Sequence, residues 1–250
     1  MSKFIVFLLT SLVTCLMADD RASALIRQGD ELDAAMKTPE ALAKYLEAAK
    51  LSPNDANLLY RIAKQYGESM NDAKKVADQR GFATKALEVS QRAVAADPTN
   101  PQAQVALAIS YGRLAPFLEN KQKIAYSKLV KEHAEKALAL DDKCELAYHV
   151  LGAWNYELAG FGMLMRALVK VTYGGLPEAS YAAAEQHFLK GCALNPQRVA
   201  NFVELGRTCQ KLDKPAEARV YLEKGLTLPS IYRDDEATKD RARAALKELE

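Results

Sequence analysis

The sequence predicts an all-α fold, a stack of about five helical hairpins with a capping helix at its C-terminal end. Three observations carry that prediction. Leu25, Gly29, Leu32, Ala41, Tyr45, Ala48 and Pro53 follow a spacing that returns as Phe202, Leu205, Gly206, Cys209, Ala218, Leu222 and Gly225 near the other end. In both sets, large and small residues share one face of a first helix, and small, large and small positions share a face of a second. Gly and Pro are scarce, at 12 and 9 of 250 residues, as long helices require. Alternation of the strand type is confined to Leu168 to Tyr173, too short and isolated to make a sheet.

This order of residue sizes is that of the tetratricopeptide repeat, about 34 residues long, so the hairpins are expected to form a tetratricopeptide-repeat-like superhelix. The closing residues Pro53, Pro98, Asp142, Pro196 and Pro229 set the frame. Repeats then fall at about 22–55, 56–100, 101–144, 145–198 and 199–231, within one domain spanning 19–250. The second repeat has Leu59, Ile62, Ala63 and Tyr66 on its first helix, then Ala86 and Ala93. The third has Leu107, Ala108, Tyr111, Ala134 and Ala137, and the fourth Tyr148, Leu151, Gly152, Ala184, Phe188 and Gly191. The outer repeats are near standard length, whereas the inner three exceed it by roughly 11, 10 and 20 residues. Ten or eleven residues make about three helical turns, enough to lengthen a hairpin without changing its phase, and Lys121 to Leu140 reads as one such long helix. Residues 234–249 place Ala242, Ala245, Leu246 and Leu249 at helical spacing, with charge opposite, as a capping helix needs.

The largest insertion has its own character. Gly160-Phe161-Gly162 breaks a helix, and a nearly apolar segment with Met163, Met165 and Tyr173 follows, carrying only Arg166 and Lys170 as charges. Gly174, Gly175 and Pro177 then punctuate the chain before the next helix. Phe161, Met163, Met165, Tyr173, Gly174, Gly175 and Pro177 therefore mark either an exposed lid for a partner or a membrane, or a plug packed across a neighbouring hairpin. The rarity of large exposed apolar patches favours the plug.

Residues 1–18 read as an export signal: Lys3, then the apolar run Phe4 to Met17, then Ala18 before the polar pair Asp19-Asp20. The run is short for a membrane span, which takes about 20 residues. Leu12-Val13-Thr14-Cys15 approaches a lipidation box, but Thr14 stands where that box takes Gly, Ala or Ser. The expected location is thus periplasmic or secreted, with membrane contact only if the N-terminus is retained or lipidated; the alternative is a cytoplasmic, cytoskeleton-associated or membrane-anchored chain. Without Cys15, three cysteines remain, Cys144, Cys192 and Cys209, an odd number with no short spacing. Cys192 and Cys209 belong to neighbouring hairpins and read as buried thiols. Net charge is +2, so no global basicity recruits nucleic acid.

Beyond the repeat, the chain resembles the regulator of microtubule dynamics family. The resemblance lies in Tyr111-Gly112-Arg113-Leu114-Ala115, Lys131-Glu132-His133-Ala134-Glu135-Lys136-Ala137 and Ala147-Tyr148-His149-Val150-Leu151-Gly152. It extends to Trp154, Tyr156 and Gly174 to Tyr181, and covers roughly residues 55 to 228. It implies an all-helical repeat protein without catalytic activity. Animal members are microtubule-associated, and one type tethers organelles at membrane contacts. Those roles are cytoplasmic, whereas the signal directs this chain outside, so the resemblance is read as that of a bacterial exported homologue.

The residue chemistry points the same way. His133, His149 and His187 are the only histidines, none in a metal-ligand spacing, and no phosphate loop, nucleophile elbow or dinucleotide fingerprint occurs. No enzyme activity, metal or cofactor is expected. In tetratricopeptide stacks the first helices line the concave face, and the positions beside the anchors give Tyr60, Lys64, Arg113, His149, Tyr156, Arg207 and Lys211. Fixed cations beside aromatic faces suit a protein or peptide partner with carboxylates. The expectation is a peptide-binding scaffold; its alternative is a microtubule-associated or membrane-contact tethering protein.

Overall fold

A computed structural model describes residues 20–250, except the side chains at 163–165 and 173. The proposed signal, 1–18, lies outside the described residues. Helices account for the architecture, and there is no strand among the described residues. They are α1 (20–34), α2 (Thr38–Ala49), α3 (Ala56–Asp72), α4 (Val76–Ala96) and α5 (Pro101–Leu114), followed by the 3₁₀ turn Ala115–Phe117. Then come α6 (Asn120–Leu140), α7 (Glu145–Ala159), α8 (Met163–Tyr173), α9 (Tyr181–Leu194), α10 (Val199–Lys211), α11 (Pro215–Thr227) and the capping helix α12 (Asp235–Lys247). The chain divides into two compact units, Met1–Ala106 and Leu107–Glu250, with the boundary inside α5.

Both units are built on one steric motif. A glycine on the first helix of a hairpin receives a large side chain from the second. A Cβ on Gly29 would collide with the Tyr45 ring; one on Gly152 would lie 2.6 Å from Phe188, and one on Gly206 2.7 Å from Leu222. Tyr45, Phe188 and Leu222 are fully buried as a result. In the first unit Tyr45 joins Leu25, Ala41, Ala48, Leu58 and Ile62 in one cluster. In the second, Phe188 packs with Ala184, Cys192, Leu205, Cys209 and Ala218. The capping helix sets Ala242 and Ala245 against Val199, Val203, Leu222 and Leu228, closing an apolar face that α10 and α11 could not bury alone.

The first two inner insertions extend second helices. α4 and α6 are 21 residues each, against 12 and 13 for α2 and α11 in the outer hairpins. The short outer hairpins turn on a left-handed residue, Met36 (φ 58°) and Asp213 (φ 57°). In both, the next amide reaches back to the end of the first helix: Lys37 N to Leu32 O at 2.9 Å, and Lys214 N to Cys209 O at 3.0 Å. Caps fix other starts. The Asp55 carboxylate accepts from the amides of Asn57 and Leu58, and Ser180 Oγ accepts from Ala183 N.

Candidate functional site

In the second unit, α7, α10 and α12 present one lined face. It holds a cavity of about 490 Å³ bordered by Tyr156, Arg207, Lys211, Arg241, Glu248 and Leu249, among others. The Arg207 guanidinium lies 5.1 Å from the centre of the Tyr156 ring, whose other neighbour is Tyr181, edge-on at 5.4 Å. Glu204, largely buried, accepts from Arg207 at 2.7 Å and from Arg241 at 3.3 Å. One carboxylate thus gathers two guanidiniums from different helices at the cavity wall. Burial works against the Arg207 charge, but Glu204 and the Tyr156 oxygen outweigh it and hold its pKa above the usual value. Lys211 is exposed at the rim. A stacked guanidinium and a second one from the capping helix, both tethered to Glu204, stand beside the rim ammonium as donors for carboxylates.

His149 belongs to a different arrangement. Its Nδ1 lies 2.8 Å from Asn201 Oδ1, while Asn201 Nδ2 donates to Glu145 Oε1 at 2.5 Å. A carboxylate can only accept, so the Asn201 amide must turn its NH₂ to Glu145 and its oxygen to His149. His149 Nδ1 is therefore the protonated, donating nitrogen. Asn201 is fully buried, with Gly191 packed so closely that a Cβ there would lie 3.0 Å from it. The relay ties α7 to α10, and the ring is held edge-on to Phe188 at 5.7 Å. Arg113, at the end of α5, is half-buried and engaged within the structure.

In the first unit, Tyr60 and Lys64 lie on α3. Lys64 Nζ sits 2.8 and 2.5 Å from the two oxygens of Asp33 on α1 and 3.4 Å from Glu68. Asp33 also accepts from Gln65, and Glu68 from the Thr38 hydroxyl. Beside this cluster Asp30 accepts from Arg61 Nε and from the Tyr45 hydroxyl, both at 2.7 Å. Burial opposes the Lys64 charge, but the Asp33 hydrogen bond and the Glu68 and Asp33 charges prevail, leaving its pKa raised. Tyr60 is half-buried and likewise engaged. The structure thus brings Tyr156, Arg207 and Lys211 together at one cavity, places His149 in a half-buried relay through the buried Asn201, and commits Lys64 to carboxylates of its own unit.

The insertion forms α8. Val169 is buried, and Arg166 donates to the carbonyls of Phe161, Leu158 and Ala179 at 3.1, 2.6 and 3.4 Å, stitching the insertion to the end of α7 and the approach to α9. Gly174 (φ 76°) and Gly175 (φ 88°) terminate α8 with bonds back to Lys170 O and Val169 O. Pro177 follows, half-buried. Phe161, Leu168 and Val171 are exposed. The side chains of Met163, Met165 and Tyr173 lie outside the described residues.

Two further groups carry titratable chemistry. Cys144, Cys192 and Cys209 are free and buried. Burial first, then neighbouring carboxylates, pushes Cys192 and Cys209 up to about 12, so both are inert thiols at neutral pH. Cys209, Glu185 and Glu217 bring a sulfur and two carboxylates within 4.8 Å of one another. Lys214 already occupies both oxygens of Glu185, at 2.7 and 2.9 Å.

Sequence reasoning did not single out Glu204, Arg241, Asn201 or Glu145. The aromatics of the family-like motifs divide into two roles. Tyr111 stacks on His133 and meets Tyr126 edge-on at 4.8 Å, and Trp154 donates to Ser127, so these residues pack α5, α6 and α7. Tyr156 instead faces the cavity.

Comparison with known proteins agrees with this architecture. The model of the family "Regulator of microtubule dynamics protein 1-3" matches residues 25–250. Regulator of microtubule dynamics protein 3 of Xenopus laevis is 27% identical over 220 residues, 87% of this chain and 48% of that protein. Protein 1 of Bos taurus is 28% identical over 225 residues, 89% of this chain and 70% of its own length. The chain thus spans about half the length of the first relative and more of the second. A thermophilic TPR protein of Thermus thermophilus superposes with a TM-score of 0.66 at 18% identity, over 90% of this chain and 99% of that one, which shows the shared fold. With its match running from the first helix to the last residue, the chain belongs to the regulator of microtubule dynamics protein 1-3 family.

Proposed function

We infer that this chain is a non-catalytic scaffold that holds an acidic peptide segment of a protein partner against α7, α10 and α12. One observation carries the reading. Arg207, Lys211 and Arg241 converge with Tyr156 on one cavity of about 490 Å³. The ring and the two guanidiniums are held by helices packed on a common core and by Glu204, so little conformational entropy is lost from them when a ligand binds. Glu204 holds both guanidiniums in place and leaves their outward N–H groups for a ligand carboxylate.

Fluorescence anisotropy with labelled acidic and neutral peptides tests this. Acidic peptides are expected to bind, and Arg207→Glu or Lys211→Glu to weaken them at least about tenfold through like-charge repulsion. Equal binding by both variants, or no preference for acidic peptides, removes the reading. The scaffold is read as working outside the cytoplasm, in the periplasm or secreted, and the apolar run before Asp19 supports that location. N-terminal sequencing after cell fractionation should find a chain starting at Asp19, and an intact Met1 in the cytosol overturns the export.

The family match favours a second reading, in which the chain associates with microtubules or tethers membranes. Co-sedimentation with polymerised tubulin separates the two. Pelleting that survives Arg207→Glu supports the second reading over the first.

A further inference from the structure

We propose that α8 and the loop before it form a docking surface for an anionic lipid bilayer, on which the helix lies flat. Three exposed apolar side chains gather within this short stretch. Phe161 is 42% exposed, Leu168 59% and Val171 87%. At 3.6 residues per turn, Ala167, Leu168 and Val171 share one face, Lys170 borders it, and Val169 with Arg166 lies on the other. That other face is anchored: Val169 is buried and Arg166 holds three backbone carbonyls. The glycine pair at 174 and 175 fixes the end of the helix. The apolar face therefore points outward from a helix that its own packing already holds.

Shape and charge select the occupant. A side chain that keeps 87% of its surface open, as Val171 does, is a peg and not the wall of a groove. Pegs enter a fluid acyl layer readily, whereas a protein partner would need a matching recess. From Leu158 to Pro177 there is no acidic residue, and Arg166 and Lys170 are the only charges. A second copy would bring like charges together, while an anionic surface complements them. Lys170, at the border of the apolar face, can reach the headgroups as its stem follows the face down. The helix has 11 residues, about 16 Å, so it cannot cross a hydrocarbon core of about 30 Å and must lie in the interface. No helix among the described residues is long and apolar enough to cross a membrane.

A local reporter tests this in the full chain, independently of residues 1–18. Trp154 is the single tryptophan and is buried, so it supplies a silent background. Val171→Trp adds a probe on the exposed face. Vesicles of equimolar phosphatidylcholine and phosphatidylserine should shift its emission to the blue, and brominated lipid should quench it, while the parent chain shows neither change. Adding Leu168→Glu or Lys170→Glu should weaken the response at least about tenfold, with the helical circular dichroism intact. An equal response to pure phosphatidylcholine overturns the proposal. So does a chain that floats with the vesicles while the probe is unmoved, since another segment then binds. A blue shift that grows with protein concentration in the absence of lipid assigns the face to a second copy and also overturns it.

Discussion

Lys64 in the first unit and Arg207 in the second occupy comparable places, beside the anchors of a first helix, yet they have opposite surroundings. Lys64 meets Asp33 and Glu68 and is absorbed into a network that joins α1 to α3. Arg207 meets Glu204 of its own helix, lies over Tyr156 and borders an open cavity. What separates them is the preceding first helix. At the position facing Lys64 it supplies a carboxylate, and at the position facing Arg207 it supplies an aromatic ring. A carboxylate completes the cation, so the pair stabilises the scaffold. A ring orients the cation without adding a countercharge, and Arg207 shares its one paired carboxylate, Glu204, with Arg241, so two guanidiniums have a single carboxylate between them and positive charge stays available for a ligand.

The steric frame is common to both units, so perturbing it should not distinguish them, and this is the largest expected effect. Gly29→Ala and Gly206→Ala each drive a methyl into a fully buried side chain, Tyr45 in one case and Leu222 in the other. Each should cost about 3 kcal/mol, since a packed core yields little to an added methyl. Urea melts of the two variants measure it. A cost confined to one of them would mean that the close approach is structural in one unit and incidental in the other.

The next test separates the two cations. Lys64→Met leaves Asp33 with Gln65 alone and Glu68 with Thr38, and should destabilise by about 1–2 kcal/mol. Arg207→Met leaves Glu204 paired to Arg241 and should cost under about 1 kcal/mol while weakening acidic peptide binding. Melts read together with anisotropy decide. If both variants lose stability equally, the distinction drawn between carboxylate and ring has no energetic content.

Acid should strike the first unit through Asp30. Burial alone would raise its pKa, but hydrogen bonds from Arg61 and Tyr45, with the charges of Arg61 and Lys64, carry it below the usual carboxylate range. The folded state then binds its proton later than the unfolded state as pH falls. Its contribution is complete above the unfolded pKa, near about 4, and is lost as pH drops through the lower folded value. Asp30→Asn should flatten the acid limb of the stability profile below about pH 5. A profile unchanged by the substitution would assign the acid sensitivity to other carboxylates.

These contrasts also show what the sequence could reveal. The hairpin frame was legible because anchors such as Gly152 and Phe188 are dictated by contact inside one repeat. The 21-residue α4 and α6 were legible because insertions of whole turns preserve phase. Tyr156, Arg207 and Lys211 could be nominated together because first-helix positions recur on one face. The fate of Lys64 was harder to see, although a signal existed: Asp30 and Arg61, and Asp33 and Lys64, are opposite charges each 31 residues apart, on neighbouring first helices. Glu204 and Arg241 were hidden for another reason. Arg241 lies on the capping helix, where no following repeat fixes a frame, so its approach to Glu204 depends on packing that periodicity does not encode. Asn201 reads as an ordinary polar residue at a helix start, and only its burial beside Gly191 shows the relay to His149.

The smallest expected effect returns to the two outer hairpins, whose turns share one backbone geometry but not one residue. Met36 and Asp213 have φ of 58° and 57°, where a Cβ crowds the backbone and glycine does not. Asp tolerates this region better than Met, because a short polar side chain can interact with the local backbone. Met36 is also exposed, at 38%, and the contacts of its covered part limit the gain when it is shortened. Met36→Gly should therefore stabilise by up to about 1 kcal/mol, the relief of left-handed strain offset by the greater freedom of glycine in the unfolded chain. Asp213→Gly should gain less, because the native residue is already the better suited. Paired melts of the two variants rank them. A larger gain at 213 would show that the amide bonds closing each turn, and not the identity of the left-handed residue, set the energy of the hairpin.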